Sequence, residues 1–508
     1  MVKTLLIRIL MVSGVFLFII NSSFSQYNFN ENCQLSYQAA ISLQFVKARL
    51  LIEKEKTSNP QNLIPVYLEN LIDCITLFIT EDPALYRHFK EKKSRRLSLL
   101  EKGWDGSPYY RFCLAQVYLQ WAFARLKFED YAAAANELRL AYNLLKTNDE
   151  IFPDFLLNKT GLGIVHVTFG VIPENYRWIS SILGLKGSMD QGIDEIRQIA
   201  MYSGADKLVL LYKPEAAFCL AFITLNLQQN KNEARTVLKI LNCLDTNYIE
   251  HSPLLIYARA SILMKTGLND DALKVLQQRS ELHDRFPFLY LDYLEGIARL
   301  NQLDFSASDY FETFLNSYKG HNYSMSALQK LSWIACLNGD TVQYRLLANR
   351  MRKKVVFQVD EDKQAVKETN AVDYPNRALL RSRLLFDGGY YFRALSELLD
   401  KPVNSIVKTK KDFIEYSYRL GRIYHESNKT EKAIEYYQNT IDRGKSLPYY
   451  FAAAAAMQMG LIYENQNEWG NAEAAYRLSL SIEAPEYKTS LRQKAKAGLD
   501  RVKKKVKT

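Results

Sequence analysis

The sequence predicts an all-α chain built as a solenoid of helix hairpins, on three observations. Apolar residues recur at helical spacing almost throughout, with little of the alternating period that marks strands. Prolines punctuate these stretches at positions 60, 83, 108, 153, 173, 214, 253, 287, 375, 402, 448 and 485, the places where helices begin or have ended. Toward the C-terminus a pattern of small and aromatic residues returns at fixed spacing. Val355, Val356 and Phe357 form one of the few short runs that could pass for a strand.

Residues 1–25 read as a cleaved secretory signal. Lys3 and Arg8 supply a positive start, residues 9–20 are apolar, and Ser23 and Ser25 stand at the −3 and −1 positions before Gln26. About a dozen apolar residues fall short of the roughly 20 that span a bilayer. The first cysteine is Cys33, too far on to be an acylation site. An exported protein follows, in the periplasm or associated with an outer membrane. Losing the signal shortens the 508 residues to 483 and the formal charge of +11 to +9.

A hydrophobic content of 48%, with 12% aromatic, suits a packed core and excludes a disordered chain. The basic residues are interspersed with acids along most of the length, so no nucleic-acid partner is implied. Cys33, Cys74, Cys113, Cys219, Cys243 and Cys336 form no C-x-x-C pair, and most lie among apolar residues. Buried free thiols are expected, since a large helical core does not need disulfides.

The repeat is clearest after residue 375. Gly421, Tyr424, Asn428, Ala433 and Tyr437 return 39 residues later as Gly460, Tyr463, Asn467, Ala472 and Tyr476, and Gly389, Tyr391 and Ala394 precede them. A glycine on the first helix of a hairpin and an alanine on the second allow close approach, and the tyrosines fill the volume beside them. These positions resemble the tetratricopeptide repeat, with Trp469 a further match. That family's period is 34, and the extra residues are expected in a longer turn at 443–448. The resemblance implies a right-handed α–α superhelical solenoid of tetratricopeptide-like hairpins, whose role is to hold protein partners.

Weaker echoes lie upstream, at Asn230 to Ala234, at Gly267 with Ala272, at Leu303 with Tyr310 and Phe311, and at Gly339. The expected organisation is a signal at 1–25, a helical domain at 26–205, degenerate hairpins at 206–358, a polar linker at 359–374, repeats at 375–490 and a basic tail at 491–508. Residues 161–192 hold six of the 21 glycines: Gly161, Gly163, Gly170, Gly184, Gly187 and Gly192. Glycine on an apolar helix permits backbone-to-backbone approach. Ile172 and Pro173, Leu183, the turn from Gly184 to Ser188, and Gly192 are similar to a segment of the eukaryotic helical-repeat family of the mitochondrial outer membrane and of inclusion bodies. That likeness spans about residues 100–220 and departs at Leu185, where the family has an aromatic residue, and at Ser188, where it has an acid. It implies helical-repeat architecture and carries no chemistry.

No catalytic constellation is legible. The six histidines form no metal-binding pair, Gly161 and Gly163 follow no strand, and no phosphate-binding or nucleophile-elbow motif occurs. His166 is expected to be a satisfied core residue. No metal, no cofactor and no enzyme activity are expected.

Two features suit binding. The resemblance places ligand-facing positions on the first helix of each hairpin, at Arg383 and Phe386, at Tyr418, Arg422 and His425, and at Leu461 and Glu464. Such a groove of arginine and aromatic side chains suits an extended peptide with acidic groups. The second feature is the basic tail, where Arg501, Lys503, Lys504, Lys505 and Lys507 could touch an anionic membrane, although a polar capping helix is the favoured role. The function expected is an exported scaffold for protein partners. The alternative is a carbohydrate- or small-ligand-binding protein of an uptake system, with tyrosines stacking on sugars.

Overall fold

A computed structural model describes residues 26–170, 187–228, 231–245, 251–281, 283–352, 359–369, 374–483 and 488–506. The signal segment, the run at 355–357, Lys507 and most of the glycine-rich break (171–186) lie outside the described residues. Among the described residues there are 25 α-helices and no strand. The chain divides into two compact units, one up to Ala258 with Arg279–Pro287, the other Arg259–Gln278 with Phe288 onward.

The first unit is a run of hairpins: α1 (Glu31–Ile41) with α2 (Phe45–Ser58), α3 (Ile64–Thr80) with α4 (Pro83–Leu100), α5 (Pro108–Lys127) with α6 (Tyr131–Ile151), α7 (Asn158–Gly170) with α8 (Met189–Ala200), and α9 (Lys207–Asn226) with α10 (Lys231–Asn242). Its first-of-pair helices converge on a buried aromatic cluster. Tyr37 stacks on Tyr212 with centroids 4.4 Å apart, and Phe112 sits 6.0 Å from Tyr67 and 6.1 Å from Tyr212. Asn30, Asn32, Asn59 and Asn62 all donate side-chain hydrogens to the buried Glu55 carboxylate, at 2.7–3.0 Å.

The glycine reading holds where it can be followed. A Cβ on Gly163 would meet the Gly192 carbonyl at 2.5 Å, and one on Gly192 would meet that of Gly163 at 2.4 Å, so α7 and α8 touch backbone to backbone. His166 is buried and bonds Glu195 at 2.6 Å, as a satisfied core residue should.

Helix α11 (Pro253–Lys265) carries the division between the units. The second unit continues with α12 (Asn269–Gln277), then α13 (Tyr290–Asn301) with α14 (Ala307–Ser317), and α15 (Ser324–Asn338) with α16 (Thr341–Arg352). After α17 (Asp360–Thr369) come α18 (Arg377–Asp387) with α19 (Tyr391–Leu399), the short α20 (Val403–Ile406), α21 (Lys410–Glu426) with α22 (Thr430–Gly444), α23 (Phe451–Asn465) with α24 (Trp469–Ser481), and α25 (Lys488–Val506).

One backbone device recurs. The turns inside these hairpins carry a left-handed residue at Leu43, Glu129, Gly267, Leu303, Gly339, Gly389, Asn428 and Asn467. In each, the next amide donates to the carbonyl five residues back, as Asp340 to Ala335 and Lys429 to Tyr424 at 2.9 Å. This Schellman closure satisfies orphan carbonyls of the first helix and turns the chain into the second. In the second unit these residues stand 36, 36, 50, 39 and 39 apart. The long step, from Gly339 to Gly389, contains α17.

The small-residue pattern has a specific cause. A Cβ on Gly421 would meet the Tyr437 ring at 2.6 Å, and one on Gly460 the Tyr476 ring at 2.6 Å. Each glycine seats a fully buried tyrosine of its own hairpin, while Ala394, Ala433 and Ala472 are wholly buried opposite.

Several expectations change. Pro214 lies inside α9, because the Asp206 cap and the buried Leu211, Tyr212, Ala216 and Leu220 on either side outweigh its local cost of about 3 kcal/mol. The stretch 359–374, expected as a linker, holds helix α17, anchored by Asp362 and the wholly buried Ala365. Ala365 is its only fully buried apolar residue among those whose burial is described, which is why it shows no hydrophobic period. The compact division falls at Ala258 and not after residue 205, since α8 packs directly on α9. The extra residues at 443–448 partly lengthen α22, which runs to Gly444. All six cysteines are free; Cys33, Cys74, Cys113 and Cys336 are buried, Cys219 is partly so, and Cys243 is exposed.

Candidate functional site

The first helices of the second unit carry cations on the face turned from their hairpin partners, and these cations sit on aromatic rings. On α15, the Lys330 amine lies 3.7 Å from the centre of the Trp333 ring, and the Arg383 guanidinium of α18 lies over the same ring at 4.7 Å. On α21, Arg422 stacks on Phe386 of α18 at 4.6 Å and donates to the Tyr418 hydroxyl at 3.2 Å. Arg419, one turn away, is held by Glu415 at 2.7 Å. Lys494 of α25 completes the set.

The electrostatics tie these groups together. Burial, then the charge of Arg383, pushes the Lys330 amine down to about 7. Burial, then Lys265 and Arg422, pushes Lys494 down to about 8. Among the described residues, no carboxylate lies within 4.0 Å of Lys330, Arg422 or Lys494. A half-buried cation without a counter-ion is costly, so this strip can accept anionic groups from outside. Its aromatic walls add apolar area beside each charge.

Four of the expected groove residues come together: Arg383, Phe386, Tyr418 and Arg422. Tyr418 is itself buried, packed on Phe451 and Tyr450, and supports Arg422 from below. The other three go elsewhere. His425 turns to the Tyr437 hydroxyl at 3.3 Å, and Leu461 packs against the core. Glu464 accepts from Tyr476 at 2.5 Å and from Arg501 at 2.7 and 2.8 Å. Helix α25 covers the last hairpin and takes its Glu464.

That same pair bears on the tail, whose favoured role is a capping helix: Arg501, one of the cations that could touch a membrane, is bound to Glu464. Leu491, Ala495, Leu499 and Val502 of α25 are buried against the last hairpin, so its apolar stripe caps the array. Lys503, Lys504 and Lys505 face outward.

Lys330, Trp333 and Lys494 were missed. Trp333 occupies the register of Arg383 once the 50-residue step is counted, and taking 359–374 as a linker hid that correspondence. Lys494 lies on the cap, outside the repeat. A cavity of 550 Å³ lined by Arg377, Arg381, Lys401 and Lys408 is less suited to anions, because Glu397 already pairs with Arg381 at 2.8 Å and Lys401 at 3.4 Å. Among the described residues no cluster of side chains could hold a metal ion.

Comparison with known proteins agrees with the repeat. A tetratricopeptide repeat model matches residues 417–449, the hairpin of α21 and α22 that carries Tyr418 and Arg422. No curated protein matches. Among solved structures, a chain of the crystal structure of the APC/C hetero-tetramer Cut9-Hcn1 is 15% identical, with 93% of this chain and 95% of that one covered. Its TM-score is 0.23, too low to carry a comparison of arrangement.

Proposed function

We propose that the protein is a non-catalytic scaffold that captures an extended, acidic segment of a partner protein along the first helices of its second unit. The observation that carries this reading is the trio Lys330, Arg422 and Lys494, half-buried cations with no carboxylate within 4.0 Å among the described residues. A partner carboxylate would supply the counter-charge, and charge-assisted bonds are the strong ones. The tetratricopeptide match at 417–449 supports the same reading, since stacked helix repeats present extended binding surfaces.

The site of action we propose is the periplasm or an outer-membrane-associated assembly, on the strength of Lys3, Arg8, residues 9–20 and the Ser23–Ser25 spacing. Mature protein recovered from its source should begin at Gln26; an intact Met1 end in the cytosol would refute export. The sugar-binding alternative cannot draw on Tyr37, Tyr67, Tyr437 or Tyr476, which are consumed in the core.

The groove is tested with Arg422→Gln combined with Lys494→Gln, which keeps the aliphatic stems and spares the buried Tyr418. A partner captured stoichiometrically from native envelopes by the unaltered protein should bind the double variant at least about tenfold more weakly. Undiminished capture would sink the reading.

A further inference from the structure

Helix α17 does not belong to the hairpin series. The turn-to-turn spacing is 36 or 39 residues on either side of it and 50 across it, so α17 is an insertion into the array. It is acidic at its start, with Asp360, Glu361 and Asp362, and carries Glu368 near its end. Among its residues whose burial is described, only Ala365 and Asp362 are fully buried, whereas α18 alone buries Leu379, Leu380, Leu384, Leu385 and Phe386.

What holds α17 is polar, and it points at the groove. Asp362 accepts from the Ser326 amide at 2.7 Å, at the start of α15. Glu368 accepts from the Trp333 indole at 2.7 Å and from the Gln329 side chain. Glu368 thus sits on the very ring that Lys330 and Arg383 cover, and Glu368, Asp387 and Glu361 are the acids whose charge reaches Lys330. A carboxylate supplied by the chain itself stands at the Lys330 end of the strip. Toward the Arg422 end the acid is Asp387, which pairs with Arg383 at 3.9 Å and whose charge reaches Arg422.

We propose that α17 is a tethered acidic plug, an internal segment that fills the Lys330–Trp333 end of the groove and must be displaced before an acidic partner segment can lie along its full length. The proposal rests on the groove reading given above. Its thin apolar contact makes it displaceable, and its carboxylate makes it a competitor for the same cations.

The test uses the full chain and fluorescein-labelled octaglutamate at low salt, read by fluorescence anisotropy. Glu368→Gln keeps an acceptor for the Trp333 indole and removes the charge; Glu361→Gln is added in a second variant. Removing a competitor that keeps the groove mostly closed should tighten octaglutamate binding by about tenfold. Arg422→Gln should weaken it in every background. Equal affinity with and without Glu368→Gln, while Arg422→Gln still weakens binding, would overturn the plug and leave the groove. Binding indifferent to Arg422→Gln, or absent from every variant, would overturn both. As a second measurement on the unaltered protein, amide exchange over 360–369 should speed up when octaglutamate is added, and unchanged exchange there counts against the plug even if a variant fails to fold.

Discussion

Glu55 shows how much of the first unit depends on single buried groups. Burial alone would raise its carboxyl, but the amides of Asn32, Asn62, Asn30 and Asn59 outweigh that and hold it below the ordinary glutamate range. With the folded value below the unfolded one, its stabilisation is present above the ordinary glutamate range and is lost as pH falls through the folded value. Glu55→Gln turns an acceptor-only group into one that presents its own N–H₂ to four donors. It should cost about 2 kcal/mol at pH 7 by urea unfolding, and the gap to the unaltered protein should narrow below about pH 4. A gap that stays constant down to pH 3 would show that the amide cage does not depend on the charge. Nothing in the sequence signals this cage, because its members come from α1, α2 and the chain on either side of them.

At the scale of the element, the hairpin is the unit that sequence describes well. Gly421 and Gly460 are legible as small residues, and the structure adds that each seats the ring of a fully buried tyrosine. Gly421→Ala would place a methyl 2.6 Å from Tyr437, which has no room to retreat. The expected loss is about 1–3 kcal/mol, seen as a lower urea midpoint. Gly470 has open space around it, so Gly470→Ala serves as the control and should be neutral or slightly stabilising. Equal effects at both sites would mean that the Tyr437 ring does not set the cost. The turns at Leu43, Glu129 and Leu303 are the counterpart. Their left-handed residues carry ordinary side chains, so the same Schellman closure that glycine or asparagine announces elsewhere is silent there.

At the scale of the whole molecule, α25 separates two roles that the basic tail could combine. Its inner stripe of Leu491, Ala495, Leu499 and Val502 closes the last hairpin. Removing residues 488–508 should expose that surface, lower the unfolding free energy by at least about 4 kcal/mol and produce aggregates on gel filtration. Reversing Lys503, Lys504 and Lys505 to glutamate leaves Arg501 on Glu464 and the cap in place. If the outward lysines touch an anionic membrane, this variant alone should lose flotation with phosphatidylserine vesicles. Equal flotation of both proteins would leave α25 as a cap and nothing more.

The sequence by itself determined the helical class, the hairpin period after residue 375 and the packing role of its small residues, because these follow from spacing along one chain. Tertiary structure decided which of the groove positions remain available. Arg383, Phe386, Tyr418 and Arg422 meet because α18 and α21 stack side by side, whereas Glu464 is taken by Arg501 of a helix 37 residues away. It also decided that Lys494 lies near Arg422 and Lys330 near Arg383, and that 360–369 is a docked helix. Those facts depend on which surfaces different helices bring together, and a local pattern holds no record of that.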